Sequence, residues 1–138
     1  MSIQPQPSFS LYIHLPWCVH KCAYCDFNSH ASSIENLPEQ RYLQALLQDL
    51  RLACEPLKDR TVHSIFIGGG TPSLFSAPAI DQLLAACRSH AHLADHCEIT
   101  LETNPGTFEI SKFEQFLAAG INRLSIGVQS FNDKYLQA

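Results

Sequence analysis

The 138-residue chain has no block of lysine or arginine, and its net charge is −4 at pH 7 with a pI near 5.9. A nucleic-acid partner needs a basic footprint against phosphate, so DNA and RNA are excluded as expected ligands. No apolar run approaches the roughly 20 residues a membrane helix requires, so no transmembrane segment is expected. The opening MSIQPQPSFS has no basic stretch and no apolar one, so it does not read as a secretory signal. A cytoplasmic location follows. Low-complexity segments and a second domain are also missing, and one domain over residues 1–138 is expected. Charged residues make up only 16% against 46% apolar, which excludes disorder and fits a globular class. A chain of this length hides roughly two-thirds of its unfolded surface.

What the chain does have is cysteine. Three of its six cysteines fall within eight residues, in LPWCVHKCAYCDFNSH, as Cys18, Cys22 and Cys25 in a C-x3-C-x2-C spacing. In a reducing compartment such clustering points to metal or redox work rather than disulfides. Thiolates hold iron–sulfur clusters, and a cubane [4Fe–4S] cluster has four irons. Three cysteines would hold three of them and leave one iron open to a small molecule. Trp17, Tyr24 and Phe27 would shield such a cluster from water. Structural zinc is the alternative. It takes four protein ligands, and the fourth would have to be His20, Asp26 or His30. Cys54, Cys87 and Cys97 read as packed core thiols.

Hydrophobic period divides the rest. After a lead-in with Pro5 and Pro7, Leu11–Leu15 is a short β run stopped by Pro16. Tyr42, Leu43, Leu46, Leu47, Leu50, Ala53 and Cys54 recur at helical spacing, with Pro38 suited to the first turn. HSIFIGGGTPS reads as a buried strand entering a glycine-rich turn, with a helix near Pro78–Ser89. EITLETNPG is a third strand. SKFEQFLAAG is a third helix, with Ser111 as its cap and Gly120 as its stop. NRLSIGVQS is a fourth strand, and FNDKYLQA begins a fourth helix. The histidine-rich SHAHLADH, with His90, His92 and His96, reads as a solvated connection.

Strands alternating with helices predict a parallel sheet with right-handed crossovers. Residue parity places Leu11, Ile13 and Leu15, Ile99 and Leu101, and Leu124, Ile126 and Val128 against the helices. Tyr12, His14, Thr100, Glu102, Ser125, Gly127 and Gln129 take the other face. A sheet buried on both faces is apolar on both, so this pattern predicts a partial barrel around a polar interior. The motifs at Cys18–Cys25, Gly68–Thr71, Asn104–Gly106 and Gln129–Ser130 all follow strand C-termini, the ligand-binding end of such architectures.

YIHLPWCVHKCAYCDF, IFIGGGTPS, LETNPG and NRLSIGVQSF, in that order, resemble the radical S-adenosylmethionine (SAM) superfamily. Within it they resemble the oxygen-independent coproporphyrinogen III oxidase (HemN) family and its HemW-like haem-chaperone branch. The likeness runs from about Leu11 to Phe131. It implies that Cys18, Cys22 and Cys25 ligate a [4Fe–4S] cluster and that SAM chelates the open iron. Reductive cleavage of SAM to a 5′-deoxyadenosyl radical is the chemistry of that superfamily. Gly69, Gly70 and Thr71 match the turn that meets the methionine end of SAM, where glycines would aim N–H groups at its carboxylate. Tyr12, Glu102 and Gln129 match SAM-contacting positions, and Tyr24 a position near the adenine. The bland readings are an internal ion pair of Glu102 with Arg123 and simple loop packing for Tyr24. His14 would touch substrate or haem, or be a hydrogen-bonded interior histidine.

Two departures bear on function. The oxidase branch adds a fourth cysteine two residues after the third, where this chain has Phe27. That branch also has an N-terminal extension, and here about ten residues precede Leu11. Both favour the chaperone branch, whose partners would be haem or porphyrin, a haem-acceptor protein and an electron donor. Coproporphyrinogen decarboxylation is the enzyme alternative, and a zinc-stabilised α/β binding module the third. The superfamily core is a six-stranded partial barrel. This chain stops inside its fourth β/α unit, so the sequence reads as an N-terminal fragment that is less stable than the whole barrel.

Overall fold

A computed structural model describes residues 8–105 and 110–136. The lead-in prolines Pro5 and Pro7, the turn glycine Gly106 and the last two positions of the expected fourth helix lie outside the described residues. In chain order the elements are β1 (Phe9–Leu15), β2 (Trp17–Cys18), β3 (His30–Ala31), α1 (Glu39–Cys54), β4 (Thr61–Gly69), α2 (Ala77–His90), β5 (His92–Thr103), α3 (Ile110–Ala119), β6 (Arg123–Ile126) and α4 (Asp133–Leu136).

The main sheet has the order β1-β4-β5-β6, and every neighbouring pair is parallel. Spatial order therefore follows chain order without reversing. A doubly wound sheet reverses at a switch point, whereas a barrel winds one way, so the expected partial-barrel class holds. Parity predicts the core correctly on β1 and β5, and the strand read as buried from HSIFIGGG is β4. Ile13, Leu15, Ile65, Ile67, Ile99 and Leu101 are buried against Leu43 and Leu50 of α1, Ile80, Leu83 and Leu84 of α2, and Phe116 of α3. Cys54, Cys87 and Cys97 are buried in the same core.

Five local expectations change. β6 ends at Ile126, and Leu124, Ile126 and Val128 are exposed rather than packed under helices. Among the described residues only the four-residue α4 follows β6, too short to cover its face. Ser111 lies inside α3 rather than at its cap, while Gly120, at φ +114°, ends that helix as expected. Pro38 occupies the cap position before α1, not its first turn. The cysteine segment is not all loop, because Trp17 and Cys18 pair with His30 and Ala31. SHAHLADH is partly strand: His92 and Leu93 pair with Thr61 and Val62, and the register resumes at Ser64↔Glu98. On the β6 side of β5, next to that bulge, the Asn122 side chain donates to the Cys97 carbonyl at 2.9 Å and accepts from the Ile99 N–H at 2.7 Å.

The helix ends are tied together. Ser76 caps α2, its Oγ accepting from the Ala79 N–H at 3.3 Å. The carboxylate of Glu39, at the start of α1, accepts from the Ser76 N–H at 2.6 Å and its Oγ at 2.8 Å. One carboxylate thus serves the first turns of two helices, where their dipoles favour negative charge.

Candidate functional site

At the C-terminal end of the sheet lies a cleft of about 350 Å³. It is built by the cysteine loop, the glycine turn after β4, the end of β5 and the segment leaving β6. Nine of the ten residues singled out from sequence line it: Cys18, Cys22, Cys25, Tyr24, Gly69, Gly70, Thr71, Glu102 and Gln129. Tyr12 stands beside it. A Cβ on Gly68 would lie 2.8 Å from Glu102 Oε2 and 3.1 Å from Tyr12 Cε2, so Tyr12 and Glu102 meet over that glycine.

All three loop cysteines are free thiols: Cys18 buried at the end of β2, Cys25 partly buried, Cys22 exposed. A tight turn brings the last two together through the Cys25 N–H donating to the Cys22 carbonyl at 3.0 Å. The Tyr24 phenol above them has its pKa raised by a hydrogen bond with Cys22, with smaller contributions from desolvation and the neighbouring thiols. Among the described residues no three His, Cys, Asp or Glu side chains converge on one point as a single metal ion would require. Zinc needs four donors about 2.0–2.3 Å from its centre. His20 and Asp26 line the same cleft but complete no such set. A cubane distributes its thiolates over separate irons, so three thiols spread around one cleft suit it better.

The glycine turn is needed for close approach more than for donors. The Gly69 N–H donates to Glu102 Oε2 at 3.0 Å, the Gly70 N–H to the Leu15 carbonyl at 2.9 Å, and the Thr71 N–H to the Trp17 carbonyl at 2.7 Å. Those amides are satisfied inside the protein, so the expectation that they aim at a ligand carboxylate is corrected. A side chain at Gly70 would come within 2.5 Å of the Trp17 carbonyl oxygen, and Gly69, at φ +121°, would drive one into His14. Only bare backbone lets β4 turn this tightly under the cysteine loop.

Glu102 is partly buried on the polar face and pairs across the register with Ser125. Arg123 is not its partner, since Arg123 Nη1 bridges Glu98 at 3.2 Å. Burial and, second, the Glu102 charge push the Tyr12 phenol upward, so Tyr12 stays neutral as a donor. Its hydroxyl donates to His14 Nδ1 at 2.9 Å, because His14 Nε2, 2.8 Å from the Asn28 carbonyl, must carry the ring proton. The hydrogen-bonded reading of His14 is therefore the one the structure bears out.

Sequence reasoning passed over Thr103 as a lining residue. It also gave no individual role to Asn104 and Ser125, which line the cleft. Asn104 Nδ2 donates to Thr71 Oγ1 at 3.3 Å, and Thr103 Oγ1 to Ser73 Oγ at 2.9 Å. These bonds join the end of β5 to the glycine turn. Parity already set Ser125 on the polar face, whereas Asn104 and Thr103 show no individual signal.

The family model of the radical SAM superfamily matches residues 12–138. The heme chaperone HemW of Haemophilus influenzae is 56% identical over 135 residues, covering 95% of this chain and 35% of that protein. Its Escherichia coli counterpart is 53% identical over 131 residues, covering 95% and 34%. The mitochondrial radical S-adenosyl methionine domain-containing protein 1 of Bos taurus is 40% identical over 128 residues, covering 93% and 28%. Among solved structures, coproporphyrinogen III oxidase (HemN) from Escherichia coli, a radical SAM enzyme, superposes with a TM-score of 0.86 at 30% identity. That match covers 97% of this chain and 31% of that one. The chain thus spans about a third of the length of the relatives it matches. Sequence and fold agree: the chain belongs to the radical SAM superfamily, a family that implies SAM and a [4Fe–4S] cluster.

Proposed function

We propose that the chain is the N-terminal part of a radical SAM core whose whole protein is a haem chaperone. Cys18, Cys22 and Cys25 would hold a [4Fe–4S] cluster, and SAM would lie in the cleft against Tyr12, Tyr24, Gly69, Gly70, Thr71, Glu102 and Gln129. The observation that carries this is the shared cleft: three free thiols, a glycine turn and a half-buried carboxylate face one space. The donor set fits the cluster, since the thiols have no competing disulfide. Bound there, the cluster would supply one-electron chemistry toward SAM at its open iron.

The chain's own groups would do the positioning. Glu102, held by the Gly69 N–H, keeps one carboxylate oxygen for a ribose hydroxyl or an ammonium. Gln129 would close the opposite wall, and Tyr24 would cover the adenine. The glycine turn would offer its bare Cα surface and carbonyls rather than its amides.

Support for haem transfer comes from the relatives called heme chaperones and from Phe27, which stands where the oxidase branch carries a fourth cysteine. The whole protein would pass haem to an acceptor haem protein, with an electron donor serving the cluster, in the cytoplasm. Among the described residues no helix is long and apolar enough to cross a membrane. The likeness to coproporphyrinogen III oxidase keeps decarboxylation as the second reading.

Anaerobic reconstitution tests the site. The wild-type chain should take up four irons and four sulfides per molecule, the composition of a cubane. Serine at Cys18, Cys22 or Cys25 should abolish uptake. Stoichiometric zinc in a colourless protein would refute it. Full-length protein should bind haem and form no protoporphyrinogen IX; formation of that product would establish the oxidase reading instead.

A further inference from the structure

The cysteine loop has very little backbone structure of its own. Among the described residues, one backbone–backbone hydrogen bond involves positions 19–29, from the Cys25 N–H to the Cys22 carbonyl. Side chains hold the rest. Lys21 Nζ donates to the Phe27 carbonyl and to the Ser29 carbonyl, each at 3.2 Å. His14 Nε2, reaching from β1, takes the intervening Asn28 carbonyl at 2.8 Å. Three consecutive carbonyls just after the third cysteine are thus each captured by a side chain. Ser29 adds a bond from its Oγ to the Phe27 carbonyl at 3.4 Å, and the same oxygen lies 3.9 Å from Cys25 Sγ. From His30 onward backbone pairing resumes, with the His30 N–H donating to Pro16 and the Ser32 N–H to Cys18.

We propose that Lys21 and His14 form a clamp on the carbonyls of Phe27, Asn28 and Ser29 that sets the three-cysteine loop in its cluster-binding shape before the cluster arrives. This rests on Cys18, Cys22 and Cys25 being the ligands. Fixing the backbone of a free loop costs conformational entropy that opposes binding, and a clamp meets that demand in advance. Lys21 suits the task because an ammonium has three donors and forms charge-assisted bonds. It does not line the cleft, so its part in the proposal is that of a positioning residue. His14 adds a link through Tyr12 to the neighbourhood of Glu102, joining loop order to the SAM end of the cleft.

The test compares wild type, K21M, K21R, H14F and C22S in the 138-residue chain. Lys21 is exposed, so K21M removes the donors without emptying the core. After anaerobic reconstitution, K21M and H14F should lose iron to a chelator about 10-fold or more faster than wild type, the scale of outer-shell losses at metal sites. K21R, which keeps donors, should stay nearer wild type. Without cluster, amide exchange over residues 18–31 should be faster in K21M at an unchanged unfolding midpoint. Iron retention equal to wild type in K21M would overturn the clamp, as would faster loss accompanied by a lowered midpoint. If wild type binds no cluster, or C22S binds one as well, the cysteine assignment fails. Exchange in cluster-free K21M then decides the clamp alone: faster exchange upholds it as the loop's constraint, and unchanged exchange overturns it.

Discussion

Apart from Cys18, which is buried beside the cleft, the cysteines divide by environment into two chemical populations. Cys54, Cys87 and Cys97 lie in the core, where burial pushes their thiols up, Cys87 to about 12. Cys22 and Cys25 stand at the cleft surface. Brief treatment of the cluster-free chain with iodoacetamide should modify Cys22 and Cys25 and spare the core three until denaturant is added, as peptide mass spectrometry would show. The same burial makes a pH prediction. The fold accepts the neutral Cys87 thiol, so the folded state keeps a proton that the unfolded chain releases near its ordinary value of 9.0. The associated stability is complete below pH 9 and falls as pH rises toward about 12. Urea midpoints across that range should decline less steeply for C87A, after allowing for its lower starting stability. Gly70 gives the third residue-scale prediction. Its alanine variant forces a methyl against the Trp17 carbonyl and should lower stability by about 1–3 kcal/mol. SAM affinity should fall with it, as equilibrium dialysis would measure.

At the scale of elements, the joints between helices and strands matter most. Asn122 carries two bonds at the β5 bulge. Asn122→Ala should destabilise by about 1–3 kcal/mol, because it leaves a partly buried donor and acceptor unmet; urea unfolding checks this. The Ser76 cap behaves similarly on a smaller scale. Ser76→Ala should cost about 1 kcal/mol, and a double-mutant cycle with Glu39→Gln should show coupling, since both residues share the same bonds. Periodicity located α1, α2 and α3 and the cores of β1, β4 and β5, because burial of one face imposes a 3.6 or 2.0 period on the residues themselves. The β5 bulge was not legible. His92 pairs in a strand although its neighbours lack alternation, and the Asn122 side chain that bonds beside the bulge lies some 25 positions beyond Cys97. Ser111 misled for a related reason: a capping residue type is common inside helices too.

For the molecule as a whole, the sheet has two edges, β1 and β6. The β6 side leaves Leu124, Ile126, Val128 and Phe131 exposed. Unpaired strand edges lined by apolar residues favour association. The 138-residue chain should therefore associate reversibly as its concentration rises. Lysine at Leu124 and Ile126 should keep it monomeric, and sedimentation velocity separates the two outcomes.

The sequence by itself determined which residues are candidates for the chemistry. Thiol spacing, the glycine run and the parity of Glu102 nominated a cluster, a close-packed turn and an inward carboxylate, since each is a property of residue type and local period. Tertiary structure decided who bonds to whom. Glu102 turned from Arg123 to the Gly69 amide, and the glycine amides turned from ligand to protein. His14 joined Lys21 on the loop's carbonyls only when β1 came beside the cysteine loop. Hydrogen bonds are directional and short-ranged. Their partners depend on which backbones are brought within about 3 Å, a fact no single stretch of sequence contains.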